Sequence, residues 1–165
     1  MDTREECGFE YDMGEAPAAG PAIVQGVGEI TAILTDPESD VRSRREPQTW
    51  SPLEYGCHLR DVFLVQRERV LAARRLDRPS FDPMGRDERV ELDGYSAQDT
   101  DDVVRQLTNA GSMFANVVSR LGPSDWERTC VYSYPTPSER SLRWVAVHTV
   151  HEVRHHLLDI RRQLA

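Results

Sequence analysis

Four of the five histidines in this 165-residue sequence fall within nine residues, His148-Thr149-Val150-His151-Glu152-Val153-Arg154-His155-His156. On a helix that turns about 100° per residue, His151 and His155 stand one above the other. Two imidazoles so placed can share a divalent metal ion at about 2.0–2.1 Å per nitrogen. His156 stands about 100° from His155 and does not enter the same site by that geometry. His58, the only histidine outside this cluster, can add a third nitrogen from another helix. Three protein ligands with a position left open is the usual arrangement of a catalytic divalent metal. Inward-facing histidines also serve as hydrogen-bonded core residues, and spacing alone leaves both readings open.

The neighbours of these histidines carry their own alternatives. His148, one turn before His151, can orient a ligand, touch a substrate, or bond a carbonyl in the core. His151-Glu152-Val153-Arg154-His155 fits the zincin pattern H-E-x-x-H, in which the glutamate is a general base. No third zincin ligand follows, so Glu152 is read either as a general base or as a buried ion-pair partner. Asp61, three residues after His58, and Asp159, four after His155, are each placed to accept a ligand imidazole's second N–H, or to pair with arginine. Cys57 is read as a small core residue and Cys130 as a loop thiol.

Four helical segments must position these groups. Ile23, Val27, Ile30 and Leu34 form an apolar stripe over 21–35, ended by Asp36-Pro37. Trp50-Ser51-Pro52-Leu53-Glu54 is a capping box with proline at the first helical position, opening a second helix over 52–76. A third begins at Asp99 or Thr100, carries Val103, Leu107, Ala110, Phe114, Val117 and Leu121, and stops at Gly122-Pro123. A fourth starts at Ser141. Residues 79–98 and 122–140 are predicted to be long loops. No alternating strand pattern intervenes. The expected fold is an all-α antiparallel four-helix bundle over 21–165, preceded by an acidic arm over 1–20.

Composition narrows the chemistry. The formal charge is −8, from 28 acidic and 20 basic residues, which disfavours a phosphate-neutralising nucleic-acid binder. All 20 basic residues are arginine, so neither a lysine Schiff base nor a Walker A lysine is available. No run approaches the roughly 20 apolar residues of a membrane helix. Three cysteines, Cys7, Cys57 and Cys130, show no paired spacing, which fits a reducing cytoplasm.

The stretches Trp50-Ser-Pro-Leu-Glu-Tyr-Gly-Cys-His58-Leu-Arg-Asp61 and His148-Thr-Val-His151-Glu-Val-Arg-His155-His156-Leu-Leu-Asp159 resemble the DinB superfamily of four-helix bundles. Its pattern is one histidine early in the second helix and an H-x-x-x-H pair late in the fourth. The resemblance implies His58, His151 and His155 as ligands of one divalent metal, zinc or nickel, and a homodimer. It also implies a metal- and thiol-dependent S-transferase or isomerase, in which the metal activates a low-molecular-weight thiol toward a small-molecule electrophile. Mycothiol is the thiol indicated if the all-arginine composition reflects a GC-rich genome. A hydrolase using bound hydroxide, or a metal-binding module without catalysis, are the alternatives. Some relatives open with Cys-x-x-Cys-Gly-Phe. Here Cys7-Gly8-Phe9 keeps only the second cysteine, because position 4 is arginine.

Overall fold

The computed structural model of the chain describes residues 7–165. Asp2, Arg4, Glu5 and Glu6 of the acidic arm lie outside the described residues. Four long helices carry the fold: α1 (Ala19–Leu34), α2 (Pro52–Arg75), α3 (Thr100–Ser119) and α4 (Leu142–Leu164). The capping box of α2 forms as the sequence predicts. Ser51 Oγ accepts from the Glu54 amide at 3.2 Å, and Glu54 Oε2 accepts from the Ser51 amide at 2.7 Å. Asp99 caps α3 and Ser141 caps α4. Helix α1 starts two residues earlier than expected. Pro21 occupies its first turn, where no backbone donor is needed, and a 3₁₀ helix over Met13–Ala18 leads into it.

The packing order decides where the site falls. Helices α1 and α2 each pack against α3 and α4 and so stand diagonally across the bundle. Against α4, α1 places Gly26 at Val153 and Glu29 at Arg161, so the two run parallel. Helix α2 places Tyr55 at His156 and Gln66 at Thr149, so it runs against α4. Gly56 meets Val103 and Phe63 meets Phe114, so α2 and α3 are parallel neighbours. Two helices thus run each way. The core between them includes Ile23, Ile30, Leu53, Leu59, Phe63, Leu107, Phe114 and Ile160. A Cβ on Gly26 would sit 2.4 Å from Val153 Cγ1, so glycine lets α1 approach α4 closely.

Parallel neighbours require a long return. Helix α2 has 24 residues, about 36 Å at 1.5 Å per residue, and the chain must travel back along it before α3 can begin. Residues 76–99 make that return, and they are not all loop: Arg86–Leu92 is a short helix, started by Gly85 at φ 69°. The 122–140 connection likewise holds an antiparallel hairpin, β1 (Thr129–Tyr132) with β2 (Ser138–Ser141). The sequence reading missed it because neither four-residue strand shows a clear apolar alternation. Pro79 and Phe81 hydrogen-bond to Val131, tying the return segment to the hairpin. Among the described residues, no helix is long and apolar enough to cross a membrane.

Candidate metal centre and pocket

Helix α4 presents two neighbouring stripes of chemistry. The stripe facing α2 carries His148, Glu152 and His156 at intervals of one turn. His58, one and a half turns into α2, faces it. His58 Nε2 lies 3.8 Å and His156 Nε2 lies 3.5 Å from Glu152 Oε2. The two imidazoles meet edge to face at 4.9 Å between centroids. Both rings are buried, and His58 Nδ1, His58 Nε2 and His156 Nε2 have no hydrogen-bond partner among the described residues. Buried polar atoms normally have one. Ligand atoms at bonds of about 2.0–2.1 Å to a tetrahedral ion are separated by about 3.3 Å. The observed distances are close to that, and the donor atoms of His58, Glu152 and His156 all lie within 4.8 Å of one another. This set can hold a divalent cation.

The electrostatics suit the same role. Burial pushes the His58 imidazole down, more than facing Glu152 pulls it up. Burial opposes the Glu152 charge, but the imidazoles of His156 and His58 outweigh it and hold the carboxyl well below the usual range. Burial also opposes charge on His156, but Asp159 and Glu152 prevail and raise it. Asp159 Oδ2 accepts from His156 Nδ1 at 3.0 Å. That bond fixes the tautomer and leaves Nε2 toward Glu152, as carboxylates do behind metal-bound histidines.

Among the described residues, the donor groups within ligand reach of one another do not include His58 with His151 and His155, the set that the resemblance implies. The i,i+4 spacing is right, but it is filled by Glu152 and His156, one position further along the helix. Helix α4 is rotated so that Leu142, Ala146, Val153 and Ile160 enter the core. On the helical wheel His156 lies roughly 55° from the centre of that apolar stripe, and His151 roughly 165°. His151 and His155 turn toward the N-terminal segment. There Cys7 Sγ lies 3.4 Å from His151 Nε2, and Phe9 and Tyr11 pack on the His151 ring at 5.1 and 5.4 Å. Neither Cys7 nor Tyr11 was a candidate from spacing, because they lie more than 130 residues away in sequence.

His148 stacks on Trp144 at 4.5 Å and has its Nε2 3.7 Å from Glu152 Oε1. Burial pushes its imidazole down, so it is neutral near pH 7. The Tyr11 hydroxyl lies 2.8 Å from His148 Nδ1 and 3.0 Å from His151 Nδ1. One hydroxyl brings one proton to these two nitrogens. Asp61 does not orient His58. It accepts from Arg60 Nε at 2.8 Å and from the Tyr95 hydroxyl at 2.5 Å.

His58, His148 and Glu152 form one wall of a cavity of about 280 Å³. Helix α2 contributes Val62, Val65, Gln66 and Arg69, the return segment Pro83–Glu88, and the hairpin side Tyr132–Tyr134. Arg69 is 8% exposed. Its guanidinium bonds the Asp82 carbonyl at 2.7 Å and stacks over Tyr132 at 5.0 Å. It has no carboxylate partner among the described residues.

Residues 28–160 match the family profile of the DinB superfamily. The chain belongs to the DinB superfamily. The same bundle is seen in a solved structure described as "YfiT from Bacillus subtilis is a probable metal-dependent hydrolase with an unusual four-helix bundle topology". That structure superimposes with a TM-score of 0.76 at 13% identity, covering 94% of this chain and 87% of YfiT. The likeness establishes the shared fold. No curated protein matches the sequence.

Proposed function

We propose that this DinB-superfamily chain is a metal-dependent S-transferase. His58, Glu152 and His156 hold one divalent cation, zinc or nickel, and a low-molecular-weight thiol of the mycothiol class attacks a small electrophile in the adjoining pocket. The observation that carries this reading is a pair of buried imidazoles with unpartnered nitrogens, set around one carboxylate in the pocket wall. A divalent cation bound there lowers the pKa of a coordinated thiol or water and so makes a nucleophile available at neutral pH.

The chain's own residues supply the rest. Asp159 holds the His156 Nδ1 proton and keeps Nε2 free of one. With the Tyr11 hydroxyl donating to its Nδ1, His148 carries its proton on Nε2, beside Glu152, and can donate it to an oxygen of the electrophile. Arg69 offers an uncompensated guanidinium to an anionic group on the thiol or the electrophile. No cysteine of the chain takes the nucleophile's part: burial pushes the Cys57 thiol up to about 12 and the Cys130 thiol up to about 11. Cys7 lies at His151, away from the cavity lining. A thiol nucleophile therefore has to enter from solution.

A hydrolytic reading, with water in place of the thiol, uses the same residues, and the description of YfiT favours it. A cobalt-loaded Cys7→Ser chain separates the two. On titration with a small thiol, the transferase reading expects a new sulfur-to-cobalt charge-transfer band. An unchanged spectrum, with metal-dependent cleavage of ester or amide substrates, would establish the hydrolase instead. In the same background, His58→Ala and His156→Ala should empty the centre while His151→Ala keeps it full. The opposite pattern would sink the ligand assignment.

A further inference from the structure

Cys7, His151 and His155 form a second donor group, on the stripe of α4 next to the one that lines the pocket. We propose that these three side chains bind a zinc-type ion of their own, a clasp that fastens the N-terminal segment to α4. The Cys7 Sγ to His151 Nε2 distance is 3.4 Å, and the donor atoms of all three residues lie within 4.8 Å of one another. A tetrahedral zinc with Zn–S of about 2.3 Å and Zn–N of about 2.0–2.1 Å sets sulfur and nitrogen about 3.6 Å apart. The observed spacing needs little adjustment to reach it.

Each imidazole has one nitrogen engaged and one to offer. His151 Nδ1 meets the Tyr11 hydroxyl at 3.0 Å, and its Nε2 faces the sulfur. His155 Nε2 lies 3.5 Å from Asp159 Oδ2, and its Nδ1 is buried with no hydrogen-bond partner among the described residues. A hydroxyl and a carboxylate behind two histidines is the support that metal-bound imidazoles receive. One thiolate with two imidazoles is a borderline-soft donor set, suited to zinc and unsuited to magnesium or calcium. Ligation takes the sulfur as thiolate, and its proton passes to solvent.

The location explains what the clasp does. His151 is 1% exposed although it sits on the side of α4 opposite the core. Phe9 and Tyr11 cover it, and Arg154 closes over Phe9 at 5.4 Å. An ion shared by Cys7 and two residues of α4 joins chain segments far apart in sequence, just where this cover lies. The same His151–Tyr11 contact sets the His148 tautomer. With His151 ligating through Nε2, its Nδ1 holds a proton, and the Tyr11 hydroxyl must donate to His148.

The test is metal stoichiometry with cobalt spectroscopy on the full-length chain, zinc- or cobalt-loaded and freed of excess ion. The intact chain should hold two ions, Cys7→Ser and His156→Ala one each, and the double variant none. The cobalt form should show a thiolate charge-transfer band in the intact chain and in His156→Ala, and none in Cys7→Ser. His155→Ala, at a position outside the apolar core, should lose the same ion as Cys7→Ser, with circular dichroism reporting that each variant is folded. An intact chain without the band, or a band that survives Cys7→Ser, overturns the proposal. One ion with a band removed by Cys7→Ser would support the clasp and refute the pocket centre, so the two readings fail separately.

Discussion

Replacing His58 by leucine separates the stability of the fold from its chemistry. His58 is 1% exposed and neither ring nitrogen has a hydrogen-bond partner. A buried polar group left unsatisfied costs about 1–3 kcal/mol. Leucine is close in volume, touches the same neighbours and brings no polar atom. In the metal-free chain, His58→Leu should therefore raise stability, by about 1–3 kcal/mol less what Glu152 loses with its facing imidazole. For a chain of this length each kcal/mol moves the melting temperature by about 2–4 °C. With metal the order should reverse. At a free ion concentration of about 1,000 times Kd, binding to the native state adds about 4.1 kcal/mol to the parent and nothing to His58→Leu. The assay is thermal and urea unfolding of both chains in a Cys7→Ser background, with chelator and then with zinc. A metal-free His58→Leu chain that is less stable than its parent would refute the reasoning, because His58 would then be a satisfied core residue.

Other expectations follow from particular contacts. Arg44 bonds Glu54 through Nε at 2.8 Å and Nη2 at 2.7 Å. Burial opposes the Glu54 charge, but Arg44 and the Ser51 amide outweigh it and lower the carboxyl below 4.5. A carboxyl held low in the folded state stabilises above its unfolded value, and that stability is lost as pH falls through the folded value. Glu54→Gln should lower the urea midpoint at pH 7 and flatten its decline between pH 5 and pH 3, ranges of about that width being where such carboxyls titrate. Ser51→Ala removes a cap and should cost about 1 kcal/mol in the same measurement. Gly26→Ala forces a methyl toward Val153 and should cost about 1–3 kcal/mol, read by thermal unfolding. Arg69→Met removes an unbalanced buried charge. It should leave the fold at least as stable while weakening competition by anionic inhibitors in any turnover assay more than by neutral ones.

Much of this was legible in the sequence, for identifiable reasons. The capping box at Ser51 and Glu54, the Asp99 and Ser141 caps and the stop at Gly122-Pro123 are local signals, and local signals set helix ends. The histidine cluster and His58 mark the turns of α4 and α2 that face each other in the structure. Spacing and resemblance single out His151 and His155, whereas Glu152 and His156 face α2. Only the rotation of the helix, set by core residues such as Val153 and Ile160, chooses between them. Cys7 and Tyr11 were out of reach because their partners come from the far end of the chain. The short helix in 76–99 and the hairpin in 122–140 are held by tertiary contacts such as Phe81 with Val131, not by their own periodicity.

The parallel course of α2 and α3 has a consequence for motion. The segment that returns from one to the other forms one wall of the pocket and sends Val90 and Tyr95 into the core. It is tethered at its start, where Pro79 and Phe81 bond Val131, and at its end, where Arg42 holds the Ser96 and Gln98 carbonyls. Between these tethers its helix buries only Val90. A unit with so little buried apolar surface opens at a small fraction of the free energy of global unfolding. Amides of 82–92 can therefore exchange with solvent while those of α2 and α4 stay protected. Under the proposed function, lifting of this wall is the motion that would admit a substrate while the helices carrying His58, Glu152 and His156 keep their spacing.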